Sequence, residues 1–217
     1  MTGESEWREG AAADSCESSG HRAWLIDLDG TLYKPLFVKL AMGAELALFG
    51  RRHITAIRAF RSQHEKIREE GGEYSPSPFE HQLSLAAADC SVPVEELRGI
   101  VMEWMVERPG KWIRRFARRS LLAEISVFRK AGGRTAIVSD YPASSKLRAL
   151  GLAGSFDCVV SNGEAGGPSR LKPAPDGFVL AAEQLGFSAA DCLVIGDRED
   201  ADGLAASRAG MDFRLIS

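Results

Sequence analysis

The sequence predicts an α/β fold: a parallel, doubly wound sheet interrupted by an inserted all-helical subdomain. Three observations predict it. Short apolar runs that read as strands alternate with helical segments from residue 111 onward, and this alternation implies a parallel sheet. Residues 36–110 need no strand at all, and a block of that size is too long for a plain crossover. Finally, the first strand ends in an Asp-x-Asp pair, and strand C-terminal ends are where open α/β sheets place their ligands.

The 217 residues suit one domain, or one domain with a sizeable insertion. Hydrophobic content of 45% and charged content of 26% are ordinary for a soluble globular chain. A net charge of -3 gives no support to a general nucleic-acid binder. No apolar run approaches the length of a membrane span. The cysteines Cys16, Cys90, Cys158 and Cys192 are scattered, without metal-ligand spacing. Cys158 and Cys192 lie in strand-like runs and read as small core residues, which fits a cytoplasmic protein.

Taken in order, residues 1–22 are rich in Glu, Ser, Gly and Ala without periodicity, and read as a disordered tail. Ala23 to Ile26 is a buried strand. Leu36 to Leu48 is a helix apolar almost all round, suited to a subdomain core or to an interface. Ile54 to Glu70 places Ile54, Ile57, Phe60 and Ile67 on one face and stops at Gly71-Gly72. Pro78 to Ala88 reads as a third helix. A fourth, capped by Ser91, runs to about Val106, and Pro109-Gly110 marks a boundary. Arg118 to Lys130 is amphipathic, with Leu121, Leu122, Ile125 and Phe128 inward. Strands at Arg134–Ser139, Asp157–Ser161, Cys192–Gly196 and Phe213–Ile216 then alternate with helices at Ser144–Leu150, Asp176–Leu185 and Asp202–Ala209.

Side chains two apart on a strand point the same way, so Asp27 and Asp29 form a carboxylate pair on the tight turn opened by Gly30 and Thr31. Two such charges need a cation or a shared proton. A hard divalent ion such as Mg²⁺ prefers oxygen ligands of this kind. Taken alone, the run fits a solvated turn as well. Other strand ends add Ser139 and the acidic run Asp197, Asp200 and Asp202, while Lys172-Pro173 precedes a helix. In a parallel sheet these ends share one edge. Acids, a hydroxyl and a lysine gathered there suit phosphoryl transfer, in which a carboxylate attacks while cations neutralise phosphate oxygens. Asp140 and Tyr141 fit a turn or a substrate contact equally. Arg198 fits a salt bridge or solvent, and Trp104 and Trp112 fit packing inside the inserted subdomain.

The runs Asp27-Leu-Asp-Gly-Thr31-Leu, Ile137-Val-Ser139, Lys172-Pro173 and Gly196-Asp197, in this order, resemble the four motifs of the haloacid dehalogenase-like superfamily. The resemblance covers 23–36 and 111–217 as a Rossmann-like catalytic core. The helical block at 37–110 resembles that superfamily's C1 cap, as in phosphoglycolate-phosphatase-like members. It implies Asp27 as nucleophile, forming an aspartyl-phosphate, and Asp29 as general acid and then base. It further implies Thr31, Ser139 and Lys172 on the phosphate, and Mg²⁺ held by Asp27, the Asp29 backbone carbonyl and Asp197. Asp202, or with lower rank Asp200, would support the site from behind. The implied activity is Mg²⁺-dependent hydrolysis of a small phosphorylated metabolite by a cytoplasmic monomer or homodimer. A phosphosugar mutase shares every core residue, and a non-catalytic binding module on the same fold is the alternative from another class. Asp29 argues against a dehalogenase, whose halide needs no proton.

Overall fold

The computed structural model describes residues 20–216. The expected tail therefore falls outside the described residues except at its end, and there it is ordered. Arg22 N–H donates to Asp191 O, Arg134 N–H donates to Arg22 O, and His21 meets Asp212 at 2.8 Å.

Five parallel strands form one sheet in the order β3-β2-β1-β4-β5. They are β1 (Ala23–Asp27), β2 (Arg134–Ser139), β3 (Cys158–Ser161), β4 (Cys192–Gly196) and β5 (Asp212–Leu215). In register, Asp27 lies beside Val138 and Ile26 beside Ile195. β1 is buried along its whole length, which explains its unbroken apolar run. Its odd and even residues feed separate cores. Trp24 and Ile26 pack with Leu121 and Ile125 of α6 (Arg119–Lys130) and Leu147 of α7 (Ser144–Leu150). Ala23 and Leu25 pack with Phe178 of α8 (Asp176–Leu185) and Ala205 of α9 (Leu204–Ala209). Helices thus cover both faces, and the winding reverses between β1 and β4. That reversal point is where an open sheet leaves a crevice for a ligand. Cys192 is buried and Cys158 half-buried in this packing, and burial raises both thiols to about 11.

Between β1 and α6 lies the helical block: α1 (Pro35–Phe49), α2 (Ile54–Glu70), α3 (Pro78–Cys90), α4 (Val94–Val101) and α5 (Gly110–Arg115). Proline opens both α1 and α3, where its missing N–H costs nothing, and Ser77 caps α3 by accepting from Glu80 N–H at 3.3 Å. Phe60, Phe79, Leu83, Leu97 and Val101 form a core of their own. The chain leaves and re-enters the sheet side by side. Tyr33 and Ala117 make an isolated antiparallel bridge, flanked by Lys34 N–H to Phe116 O and Arg118 N–H to Leu32 O, each 2.9 Å.

Several local expectations need correction. Ser91 does not start the fourth helix. It closes α3 in a left-handed conformation (φ 54°), and α4 begins after Pro93. α4 ends at Val101, and a π-helical segment, Met102–Glu107, continues it. Gly110 opens α5 rather than breaking the chain, and the last helix starts as a π turn at Glu199–Gly203. α1 is apolar all round for neither expected reason alone: Val38 is buried, while Leu40, Leu48 and Phe49 are exposed. Among the described residues, no helix is long and apolar enough to cross a membrane.

Candidate active site

The C-terminal ends of β1, β2 and β4 converge on one cavity of about 360 Å³, which also reaches into the helical block. Asp27, Asp29, Lys172, Asp197 and Asp202 line it, as do Asp140 and Tyr141. Asp27 ends β1, beside Val138 at the C-terminal edge of the sheet. Lys172 reaches it from the loop before α8: its ammonium donates to Asp27 Oδ1 at 2.6 Å and to Val138 O at 3.0 Å, and stands 2.8 Å from Asp202 Oδ1. Asp202 is buried in the π turn after β4, where its Oδ2 accepts Arg198 N–H at 3.2 Å.

Two glycines make this closeness possible. At Gly30 the backbone is left-handed (φ 107°), and a Cβ there would lie 2.0 Å from Asp197 Oδ2. At Gly196 a Cβ would stand 2.5 Å from the Asp202 carboxyl group.

The electrostatics follow from crowding acids in a dry place. Burial holds the Asp27 carboxyl well above the ordinary carboxylate range, with Lys172 pulling against it and Asp202 adding to it. Burial and then Asp202 raise Asp197 as well. Burial would lower the Lys172 ammonium, but Asp202 and Asp27 outweigh it and keep the lysine charged. The site is short of positive charge. Asp27, Asp197 and Asp202 each offer an oxygen within 4.8 Å of the others, and Asp27 Oδ2 is buried without a hydrogen-bond partner. An all-carboxylate oxygen set with an orphaned anionic oxygen fits a hard divalent cation such as Mg²⁺.

The other expected residues lie differently. Asp29 turns its carboxylate away from that trio, towards Tyr33 and Lys146, so its side chain is no part of the cation cluster. Ser139 is buried beside the cavity and its hydroxyl accepts Tyr141 N–H at 3.2 Å, the bond of a strand-end cap. The Thr31 hydroxyl is fully buried and unpartnered. Asp200 points outward into an ion pair with Arg198, and Arg198 holds its carboxyl below the ordinary value.

Sequence reasoning passed over Lys146 and Tyr33 and left Asp140 open between a turn and a substrate contact; the fold brings all three in. Lys146, in the first turn of α7, is buried and donates to Asp29 Oδ1 at 2.6 Å and Oδ2 at 2.5 Å. A lysine in the first turn of a helix that starts at the ligand edge was the available signal. The Tyr33 hydroxyl donates to Asp29 Oδ1 at 2.6 Å, and burial, then Asp29, raises that phenol well above its usual value. Asp140 ties three segments together: its carboxylate accepts Lys172 N–H at 3.2 Å and meets Arg68 of α2 at 3.4 Å, and its carbonyl accepts from Asn162 at 3.3 Å. Trp104 is buried as expected of a packing residue, yet it also lines the cavity. Trp112 instead donates its indole N–H to Glu45 at 2.7 Å.

A family model described as haloacid dehalogenase-like hydrolase matches residues 21–210. The chain belongs to this family. Fructose-1-phosphate phosphatase YqaB of Escherichia coli is 44% identical over 72 residues, 32% of this chain and 35% of that protein. The putative phosphatase YhcW of Bacillus subtilis is 34% identical over 79 residues, 36% of this chain and 34% of that protein. The chain thus spans about a third of the length of these curated relatives. Among solved structures, the L-2-haloacid dehalogenase of Xanthobacter autotrophicus superposes with a TM-score of 0.61 at 20% identity, over 90% of this chain and 77% of that one. At that identity the likeness speaks for the haloacid dehalogenase-like fold alone.

Proposed function

We propose that this protein is a Mg²⁺-dependent phosphomonoester hydrolase that works through an aspartyl-phosphate on Asp27. The observation that carries this reading is the Lys172–Asp27 contact of 2.6 Å inside the carboxylate trio. A buried carboxylate held by an ammonium, beside two further acids at the sheet's switch point, suits an in-line nucleophile.

Asp27 attacks phosphorus and the ester P–O bond breaks. Asp29, two residues on, protonates the departing oxygen and afterwards takes a proton from the water that hydrolyses the acyl phosphate. Lys172 neutralises charge on the transferring group. Thr31 and Ser139 would serve the phosphate. Asp27, Asp197 and the Asp29 carbonyl, with Asp202 beside them, would hold Mg²⁺, which supplies further neutralisation of phosphate oxygens. The helical block acts as a cap that shields the phospho-enzyme from bulk water. The phosphatase names of both curated relatives support the reaction class.

The test is hydrolysis of p-nitrophenyl phosphate by purified protein with Mg²⁺ and with EDTA, alongside Asp27→Asn. Turnover that needs both the metal and Asp27 is expected. Wild-type turnover by Asp27→Asn would remove the nucleophile assignment.

A further inference from the structure

α1 carries a second apolar side that faces solvent. Leu36, Leu40, Ala44, Ala47 and Leu48 recur at three- and four-residue spacing, so they share one face, and all five are exposed. Leu40 is 63% and Leu48 72% exposed, and Phe37 and Phe49 are exposed beside them. The only charged residues in the helix are Lys39 and Glu45, and Glu45 is buried against Lys111 and Trp112. Five large apolar side chains on one helix put this patch at roughly 300–600 Å², the size at which such surfaces are often functional.

The rim of the patch is basic. Lys34 precedes α1, Lys39 stands at the edge of the stripe, and Arg51 and Arg52 follow the C-terminus. All four are exposed, and among the described residues none forms an ion pair with a carboxylate. Along one flank Phe37 stacks on Phe116 at 5.1 Å, which brings α5 alongside with exposed Arg114 and Arg115. From residue 34 to 61 the sequence holds six lysines and arginines and a single acid, Glu45, in a chain of net charge -3.

We propose that this face docks on an anionic lipid bilayer, with α1 lying in the plane of the headgroups. The contact is with a surface and involves no span, and it does not depend on the phosphatase reading. Leu36, Leu40, Leu48 and the two phenylalanines enter the acyl boundary, while the basic rim meets lipid phosphates and carboxylates. An interfacial helix ordinarily needs a polar face of its own. α1 does not, because Val38 on its other side packs into the protein core. A second copy fits the face poorly: it would set Lys34, Lys39, Arg51 and Arg52 against the same charges. An acidic protein is disfavoured by shape. Anchors in protein interfaces sit in pockets, whereas these leucines stand out singly and lie outside the active-site cavity. A bilayer needs no matching pocket.

The experiment is co-sedimentation of the full chain with vesicles of phosphatidylcholine alone and with about 30% phosphatidylserine added, an anionic surface of the kind that attracts basic segments. It is run at about 0.05 M and about 0.5 M NaCl, which shortens the Debye length severalfold. Binding to the anionic vesicles, weaker at high salt and absent on phosphatidylcholine alone, is expected. Leu40→Glu with Leu48→Glu should weaken partition about a hundredfold, roughly tenfold for each leucine withheld. Arg51→Gln with Arg52→Gln should weaken it about thirtyfold at low salt, the loss of two cations near an anionic surface. The substituted residues are exposed, so Tm should not move. Binding that survives the loss of both leucines would reduce the contact to charge alone and overturn the proposal. No sedimentation with anionic vesicles at low salt would also overturn it, in favour of an acidic protein. A lipid-free dimer in sedimentation velocity that Leu40→Glu dissociates would assign the face to a second copy and overturn it equally.

Discussion

The Lys146 ammonium grips both carboxylate oxygens of Asp29, at 2.6 and 2.5 Å, while Tyr33 occupies Oδ1 from the other side. The side chain assigned to proton transfer is therefore held at three points. As a positioning residue, Lys146 should show itself in kcat rather than KM. Lys146→Met is expected to lower kcat about 10- to 100-fold with a smaller change in KM, the scale on which a misplaced catalytic group is penalised. Lys146→Arg should recover part of the loss. An equal fall in stability and kcat, without rescue by arginine, would mark Lys146 as a packing residue only.

Cation binding has a readout independent of turnover. The charge-poor trio of Asp27, Asp197 and Asp202 should bind Mg²⁺ and stabilise the fold. At a hundred times Kd the gain is about 2.7 kcal/mol, a rise in Tm of roughly 5–10 °C for a chain of this size. Asp197→Asn should abolish most of that rise. Retention of the full shift would exclude Asp197 as a ligand.

Gly30 predicts a sharper penalty. Gly30→Ala forces a Cβ into the Asp197 carboxylate at a left-handed position. The expected cost is about 1–3 kcal/mol in denaturant unfolding, together with loss of the Mg²⁺ stabilisation. An unchanged midpoint would mean that the turn relaxes freely.

Stability should also fall in acid, with Asp157 contributing. Burial pushes this carboxyl up, but Thr135 N–H at 2.9 Å and Arg134 at 2.6 Å outweigh it and leave the group below its ordinary value. A carboxyl lowered on folding stabilises above its unfolded pKa of about 4 and loses that contribution as pH falls through the folded value. Asp157→Asn should therefore cost stability at pH 7 and flatten the acid limb of a stability–pH curve. Parallel curves for the two proteins would refute this.

The sheet and its order of elements were legible because β1, β2 and β4 are short apolar runs, and each ends at or just before a residue with chemistry: Asp27, Ser139 and Asp197. Asp27, Lys172, Asp197 and Asp202 could be collected on one edge for the same reason. What escaped depends on three-dimensional approach. Lys146 carries only one sequence signal, its place in the first turn of α7, and its bond to Asp29 emerges from the approach of that turn to the end of β1. Ser91 has the composition of a helix start, yet it closes α3 in a left-handed conformation and Pro93 stands before α4. Trp104 packs and lines the cavity at once, because the π-helical segment shifts the register of side chains relative to α4.

The bridge between Tyr33 and Ala117 carries an evolutionary consequence. The helical block leaves and rejoins the sheet at two chain crossings that are hydrogen-bonded to each other, while Val38 of α1 and Ile113 of α5 pack into the sheet's core. The sheet therefore experiences it as a detour with its ends tied. Lengthening such a detour costs only about 0.6 kcal/mol per doubling, so its contents can grow, shrink or be exchanged with little strain on β1 or α6. Under the proposed function, substrate choice and phosphoryl chemistry would then fall under separate selection, one between the two crossings and the other outside them.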